Sequence, residues 1–207
     1  MASQTTQTLK FNNNASQVMF IGNRDLADVI AQDERELAEI GGSFEAIADR
    51  MEELVNYARG KGWILRHEEL HEWIAPLVER FKREYGGWDG FDPKKNPKAW
   101  KKYMQEWAER MSQHPKTKYD SKVSVLQIVG TRGFQECPFE GCKQACWNEE
   151  VEIYNSRTRR GITINRGTVH LARTHHLLEK GNEYGITARE FYKSFMPGNT
   201  EVKPNSR

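Results

Sequence analysis

Long apolar stretches, a disulfide framework and a secretory leader are all missing from this sequence of 207 residues. No apolar run approaches the roughly 20 residues that cross a bilayer. Residues 1–14, MASQTTQTLKFNNN, lack the basic and apolar regions of a signal peptide. The three cysteines all lie between residues 137 and 146, a spacing more typical of metal ligation than of disulfides. We therefore expect a protein of the reducing cytoplasm of the producing or host cell, with no membrane partner.

The common signatures of enzymes are also missing. The sequence contains no P-loop, no glycine-rich dinucleotide fingerprint and no nucleophile elbow, and it shows no internal repeat. Its composition is that of an ordinary globular protein, with 37% hydrophobic and 29% charged residues. The sequence therefore predicts a globular protein with a real hydrophobic core and no catalytic activity.

Four residues of two chemical types point to a metal site. The segment GFQECPFEGCKQACW places Cys137 and Cys142 in one tight turn, where a proline and a glycine help both sulfurs converge. The segment TVHLARTHHLLEKG puts His170 and His175 on a predicted helix, where a tightened last turn would bring both imidazoles to one side. Two thiolates and two imidazoles suit a tetrahedral zinc ion, and four protein ligands predict a closed, structural site.

Two alternatives to this ligand set stay open at the level of sequence. His176 follows His175 directly, so it is a candidate for the second nitrogen ligand. Cys146 lies four positions after Cys142 and is a candidate for the second sulfur ligand, or else a buried free thiol.

The same segments resemble the two-cysteine, two-histidine zinc finger family over residues 133–178. GFQECPFEGCK is similar to the aromatic-Cys-x4-Cys knuckle of that family, and HLARTH is similar to its ligand helix. The resemblance implies bound zinc and a ββα-like unit. However, 27 residues separate Cys142 from His170, where the family has about 12. Because the extra length contains a complete hairpin, EVEIYNSRTRRGITIN, we carry over the metal ligands and no base-reading positions. The stretch is also similar to uncharacterised single-zinc-site proteins of bacteria and phages.

The period of the apolar residues changes near residue 122. Before it, apolar residues recur at three- and four-residue intervals, which predicts four helices within residues 24–40, 43–60, 67–85 and 97–111, with Asn23 as the cap of the first. After it, residues 122–129, 149–155 and 161–165 alternate as strands do. A helix at 168–180 is predicted to stop at Gly181, and Thr187 with Glu190 predicts a capping box for a last helix. Residues 8–11 and 17–22 read as two further short strands.

These elements predict an α+β fold, with a helical N-terminal part followed by a zinc-braced β-hairpin and helix, a ββα-like unit. The predicted domains are a mainly helical domain at residues 1–118 with an N-terminal β-hairpin, and a zinc-binding β-hairpin/helix domain at residues 119–196. Residues 197–207 are predicted to form a flexible tail.

A competing metal motif lies in the helical part. His67, Glu68 and His71 match H-E-x-x-H, in which two histidines one turn apart bind a catalytic zinc. A charged residue at position 69 and Pro76 shortly afterwards disagree with the buried helix that such a site needs. We therefore expect a solvated helix start, with a metallopeptidase as a minor alternative. A ββα-metal nuclease is another weak possibility, because no Asp or Asn pairing for a second metal stands out.

The charges are sorted along the chain although the formal net charge is only +2. Residues 23–54 are acidic, whereas lysines crowd residues 94–118 and arginines crowd residues 157–173. This sorting predicts a zinc-stabilised nucleic-acid-binding or regulatory protein that contacts DNA or RNA. The alternative is a protein-binding inhibitor or adaptor, as in viral and phage regulators, which uses the acidic helical surface and keeps zinc only as a structural ion. The predicted phosphate contacts are Arg157, Arg159, Arg160, Arg166 and Arg173.

Overall fold

The computed structural model describes residues 10–11, 24–62, 65, 67–87, 91–178 and 186–198. Within these residues the chain forms six α-helices, one short 3-10 helix and three strands, so the predicted mixture of helix and strand is confirmed. The helices are α1 Leu26–Ala38, α2 Phe44–Lys61, α3 His67–Tyr85, α4 Pro97–Gln113, α5 Arg166–His175 and α6 Ala188–Phe195, with the 3-10 helix at Pro115–Thr117. The strands are β1 Val123–Glu136, β2 Ala145–Asn155 and β3 Arg160–Ile164.

The three strands form one sheet in the order β1-β2-β3. Strands β2 and β3 are antiparallel, and their register pairs Val151 with Ile164 and Ile153 with Ile162. These four apolar side chains are buried, as expected for a hairpin with one face in the core. The hairpin that the sequence predicts over residues 149–165 is therefore present.

Local hydrogen bonds set the ends of the first and last helices. Asp25, rather than the expected Asn23, caps α1, because its carboxylate accepts hydrogen bonds from the backbone N–H groups of Ala27 and Asp28. At the start of α6, Thr187 and Glu190 form the capping box that the sequence predicts. Both helices thus begin where short polar side chains replace missing backbone partners.

Helix α5 is displaced from its predicted range. It starts at Arg166, two residues earlier than expected, because Asn165 accepts a hydrogen bond from the backbone N–H of Thr168 at 2.8 Å. It ends at His175 rather than at residue 180, because His176 adopts a left-handed backbone with φ of 50°. The expected stop at Gly181 lies outside the described residues.

The chain divides into two compact units, each made of several segments. Unit 1 comprises Met1–Glu53, Thr131–Glu149 and Asn165–Arg207, and unit 2 comprises Leu54–Gly130 and Glu150–Ile164. In unit 1, α1 packs against α6, and in unit 2, α3 packs against α4. The division into domains at residues 118 and 196 stays a prediction.

Pro76 lies inside α3 without ending it, so the helix runs from His67 to Tyr85 as one element. No described helix is both long enough and apolar enough to cross a membrane. Most of the predicted N-terminal hairpin and residues 199–207 of the predicted tail lie outside the described residues. Of that hairpin, the structure describes Lys10 and Phe11, and Phe11 forms an isolated bridge with Phe139.

Candidate metal centre

The two candidate sulfur ligands lie in one turn that follows β1. The backbone N–H of Cys137 donates to the carbonyl of Gln144 at 2.9 Å, and the N–H of Cys142 donates to the carbonyl of Phe139 at 3.2 Å. Gly141 has a φ of 78°, a left-handed conformation that glycine adopts without the steric cost of a Cβ atom. The turn therefore brings the two cysteines together, as the sequence predicts.

The two candidate nitrogen ligands lie on α5. His170 is in the middle of the helix, and His175 is its last residue. Their ring centroids are 5.1 Å apart and their planes meet at 85°. A step of five residues is possible because the helix ends at His175, where the backbone N–H of His176 donates to the carbonyl of Leu171.

The four ligand atoms form one compact group. The Sγ atom of Cys137 lies 3.2 Å from Nε2 of His175, and the Sγ atom of Cys142 lies 3.3 Å from Nε2 of His170. All four atoms lie within 4.8 Å of one another. A tetrahedral ion with sulfur at about 2.3 Å and nitrogen at about 2.0 Å needs S···N separations of about 3.5 Å. The group could therefore hold a metal ion with a small adjustment.

Each imidazole has a different kind of support on its far side. The Nδ1 atom of His170 lies 3.2 Å from the hydroxyl of Thr174, so a hydrogen bond orients this ring. The ring of His175 stacks on Phe139, with centroids 4.0 Å apart and planes 8° apart. The Nδ1 atom of His175 is buried and has no hydrogen-bond partner among the described residues. Ring stacking, rather than a hydrogen bond, therefore orients His175.

Burial keeps both imidazoles in the neutral form. It lowers the pKa of His175 to about 4, with smaller contributions from the charges of His170 and His176. It also lowers the pKa of His170 below its ordinary value. A neutral imidazole is the form that binds a metal, so both rings are ready for ligation near neutral pH.

The candidate metal centre is part of the hydrophobic core of unit 1. Cys137 and Phe139 belong to one buried cluster with residues of α1, α5 and the segment after α5, and Cys142 packs against that cluster. The other buried members are Leu26, Val29, Leu171 and Leu177. Because the sulfur atoms contact this core, loss of their position would also disturb the packing between α1 and α5.

The structure separates the two adjacent histidines. His175 faces the cysteines, whereas Nδ1 of His176 lies 2.5 Å from a carboxylate oxygen of Glu34, and its ring stacks on Phe44. His176 is half exposed, so His175 is the histidine that joins the group. The side chain of Cys146 lies outside the described residues, and its role as an alternative ligand stays a prediction.

Two residues of this centre were not singled out from the sequence. Phe139, between the two cysteines, stacks on one ligand, and Thr174 bonds the other. Thr174 is four residues after His170, so helical spacing could have indicated it. The packing of Phe139 depends on tertiary contacts that have no local signal.

The competing H-E-x-x-H motif forms the first turn of α3. His71 is exposed, Glu68 is exposed, and the side chain of His67 lies outside the described part of the chain. Among described residues, the only group of three or more His, Cys, Asp or Glu residues that could hold a metal is the Cys137, Cys142, His170 and His175 group.

Three of the predicted phosphate contacts lie at the β2–β3 turn in unit 2. Arg157 and Arg159 are exposed in the turn, and Arg160 starts β3. The guanidinium of Arg159 is paired with the carboxylate of Glu109, with Nε 2.7 Å from Oε1. Arg159 would therefore have to leave Glu109 before it could contact a phosphate.

The other two predicted contacts lie on α5 in unit 1. Arg166 is the exposed first residue of the helix. Arg173 lies in the last turn of the helix and binds two carboxylates of α2, Asp49 at 2.7 Å and Glu52 at 3.1 Å. The five arginines thus differ in their present partners and do not share one unit.

Carboxylates from the acidic segment take part in further ion pairs within unit 1. Glu34 binds His176 at 2.5 Å, and Glu39 lies 3.2 Å from the guanidinium of Arg189 on α6. The two carboxylates that bind Arg173 belong to the same set of contacts. The acidic partners lie on α1, directly after α1 and on α2, and the basic partners lie on α5, directly after α5 and on α6. Part of the charge sorting along the sequence is therefore matched within the protein itself.

In comparisons with known proteins, no family model, no curated protein and no solved structure matches the chain.

Proposed function

We propose that the chain is a zinc-stabilised nucleic-acid-binding protein without catalytic activity. Zinc is the ion that best suits two thiolates and two neutral imidazoles in a compact shell. Cys137, Cys142, His170 and His175 would fill all four positions, which leaves none for a substrate or a reactive water. The role of the ion would then be to stabilise the packing of α5 on the cysteine turn, since ligation is coupled to folding in such sites.

The zinc site supports a further proposal about the family. The cysteine turn and α5 would correspond to the knuckle and the ligand helix of a two-cysteine, two-histidine zinc finger. Hairpin β2–β3 would occupy the long segment between the two ligand pairs. An antiparallel hairpin returns the chain to where it started, so it lengthens the segment without separating its ends. A ββα-like unit with a long hairpin is therefore compatible with one compact metal centre.

The observation that carries the nucleic-acid proposal is a contrast between acidic side chains that have partners within unit 1 and basic side chains that are exposed. Four carboxylates of the acidic segment have partners in unit 1: Glu39, Asp49 and Glu52 pair with arginines, and Glu34 contacts His176. In unit 2, Lys98 and Lys101 are exposed on α4. Exposed cations supply the sequence-independent attraction to phosphates that nucleic-acid binding requires.

The alternative proposal is a protein-binding inhibitor or adaptor that uses the acidic helices. It is supported by exposed carboxylates such as Asp28 and Glu45. The pairing of Glu39 and Asp49 with arginines of unit 1 reduces the acidic surface that a partner could contact. We therefore rank the protein-binding proposal below the nucleic-acid-binding proposal.

Direct titration separates the two proposals. The fluorescence anisotropy of labelled duplex DNA, single-stranded DNA and single-stranded RNA is measured at about 50 and about 200 mM salt. Each phosphate contact contributes about one unit to the salt slope, which is the slope of log affinity against log salt concentration. We expect saturable binding that weakens steeply with salt. If no nucleic acid binds at either concentration, the proposal is wrong. Affinity capture from lysate with and without nuclease then shows whether a protein is retained instead.

A further inference from the structure

Five lysines are concentrated in and just before the first turns of α4. They are Lys94, Lys95, Lys98, Lys101 and Lys102, and all are exposed. Lys95 lies 3.9 Å from Asp92. The other four have no side-chain hydrogen bond and no ion pair with any residue that the structure describes. They differ in this from Arg159 and Arg173, whose charges already face carboxylates.

Helical geometry places part of this cluster on one face. Lys98 and Lys102 are four residues apart, and Lys98 and Lys101 are three apart. Residues at these separations are neighbours on the surface of a helix. Lys98 therefore neighbours both Lys101 and Lys102, and a bound anion would relieve the repulsion among these three ammonium groups, which pair with no carboxylate of the described residues.

An aromatic cluster lies beside the lysines. The ring centroids of Tyr85 and Phe91 are 5.5 Å apart, those of Phe91 and Trp100 are 6.3 Å apart, and those of Trp100 and Tyr103 are 5.8 Å apart. Trp100 and Phe91 are half-buried. Tyr85 is 37% exposed, the only large hydrophobic residue in the described part of the chain that is exposed to this extent.

A shallow groove between α3 and α4 joins the two features, because Tyr85, Lys102 and Tyr103 line it together. Glu84 and Glu106 also line the groove, and Arg80 is paired with both of them. Among the charged residues named here, there are three carboxylates, Glu84, Asp92 and Glu106, and six cations, Arg80 and the five lysines. These named side chains therefore carry a net positive charge.

We propose that the lysine–aromatic surface, formed by Tyr85, Phe91, Trp100, Lys98, Lys101 and Lys102, binds single-stranded nucleic acid. The lysines contact successive phosphates, and the exposed ring of Tyr85, which packs beside Phe91, offers a face on which an unpaired base stacks. This inference rests on the proposed function and names its surface and its substrate class. A duplex keeps its base faces inside the stack, so it gains only the phosphate contacts. Stacking and point charges both tolerate any base, so we expect little sequence preference.

The charge part of the proposal is tested on the full chain with its metal bound. Anisotropy titrations use a labelled oligothymidine of about 20 nucleotides, an oligouridine of the same length and a duplex. The lysine variant, Lys98→Gln, Lys101→Gln, Lys102→Gln, is compared with a matched control variant, Lys118→Gln, Lys143→Gln, Lys193→Gln, which removes three exposed lysines elsewhere on the chain. We expect the lysine variant to bind at least about tenfold more weakly and to lose about two units of salt slope. We expect the control variant to stay within about threefold of the original protein.

The aromatic part needs a variant that leaves the charge unchanged. Tyr85→Ala should weaken single-strand binding by about 5-fold or more, since a lost stacking platform has an effect of this size. Tyr85→Phe keeps the ring and should stay within about twofold. Duplex binding should change little in either variant. The melting temperature and the metal content of each variant show whether the fold is intact.

The possible results distinguish a failure of the proposed function from a failure of the lysine–aromatic surface. If the original protein binds no nucleic acid, the proposed function fails, and this inference fails with it. If it binds, but the lysine variant and Tyr85→Ala both keep its affinity, this surface is wrong while the proposed function stands. If the lysine variant loses binding but duplex is preferred and Tyr85→Ala has no effect, single-stranded nucleic acid is the wrong class.

Discussion

The ring of Phe139 lies flat on the imidazole of His175, with centroids 4.0 Å apart and planes 8° apart. Phe139 is 1% exposed, and Phe11 stacks on it at 4.8 Å. The orientation of one candidate ligand therefore depends on a core residue. We therefore expect core packing and metal affinity to be coupled, so that a change in Phe139 alters both.

Replacement of Phe139 tests this coupling. Phe139→Ala removes a buried ring and should lower the free energy of unfolding by about 3–5 kcal/mol. Phe139→Leu retains most of the apolar volume and should cost less, but it removes the flat surface that orients His175. We therefore expect both variants to bind metal more weakly. Denaturant unfolding with and without a chelator measures both effects, and an unchanged metal affinity in both variants would contradict the coupling.

The ligand set is tested by metal content. We expect one zinc per chain in protein purified without chelator, as measured by elemental analysis. Cys142→Ser and His170→Ala should each lose the ion and destabilise unit 1, because ligation and folding are coupled. Cys146→Ser is the matched control and should retain full zinc content. Retention of zinc by Cys142→Ser together with its loss from Cys146→Ser would show that Cys146 is the second sulfur ligand.

The H-E-x-x-H motif makes a separate prediction. His67→Ala and Glu68→Ala should leave zinc content unchanged, because neither residue belongs to the Cys137, Cys142, His170 and His175 group. Glu68 is exposed, so Glu68→Ala should also change stability by less than about 0.5 kcal/mol. Elemental analysis and a thermal scan of each variant suffice. A second zinc in the original protein that disappears in His67→Ala would revive the metallopeptidase alternative.

A double-mutant cycle tests the pairing between Arg173 and Asp49. The variants are Arg173→Ala, Asp49→Ala and the double variant, compared by urea unfolding. Because Asp49 is 65% exposed, we expect a coupling free energy of only about 0.2–1 kcal/mol, which decreases as salt is added. Asp28→Ala is the control, since Asp28 is exposed on α1 and lies in no ion pair within the described residues. Equal coupling of Arg173 to Asp28 and to Asp49 would show that the pair has no specific role.

The sequence was sufficient for the elements whose signal is local. Apolar periodicity predicted the helices, and the alternation of residues 149–155 and 161–165 predicted the β2–β3 hairpin. The capping box of Thr187 and Glu190 was readable because it depends on two residues three positions apart. The four candidate ligands could be predicted because two closely spaced cysteines followed by two histidines are typical of a metal site.

Other features depend on contacts that no local pattern contains. Strand β1 continues to Glu136, well past residue 129 where its alternation ends, because pairing in a sheet can override weak strand propensity. Helix α5 ends at His175, because the left-handed backbone of His176, a residue that carries no strong stop signal, terminates it, whereas the sequence indicated Gly181. The charge sorting was visible, but its internal partners were not, since Arg173 and Asp49 are 124 positions apart.

The ion pairs of unit 1 can form only late in the synthesis of the chain. Glu39 and Arg189 are 150 positions apart, so at about 5–20 residues per second the ribosome needs roughly 8–30 s to deliver the second partner after the first. During that interval the carboxylates of α1 and α2 are solvated, and the face of α1 that packs against α6 is not yet covered. The early helices should therefore stay open to chaperones until α6 is synthesised.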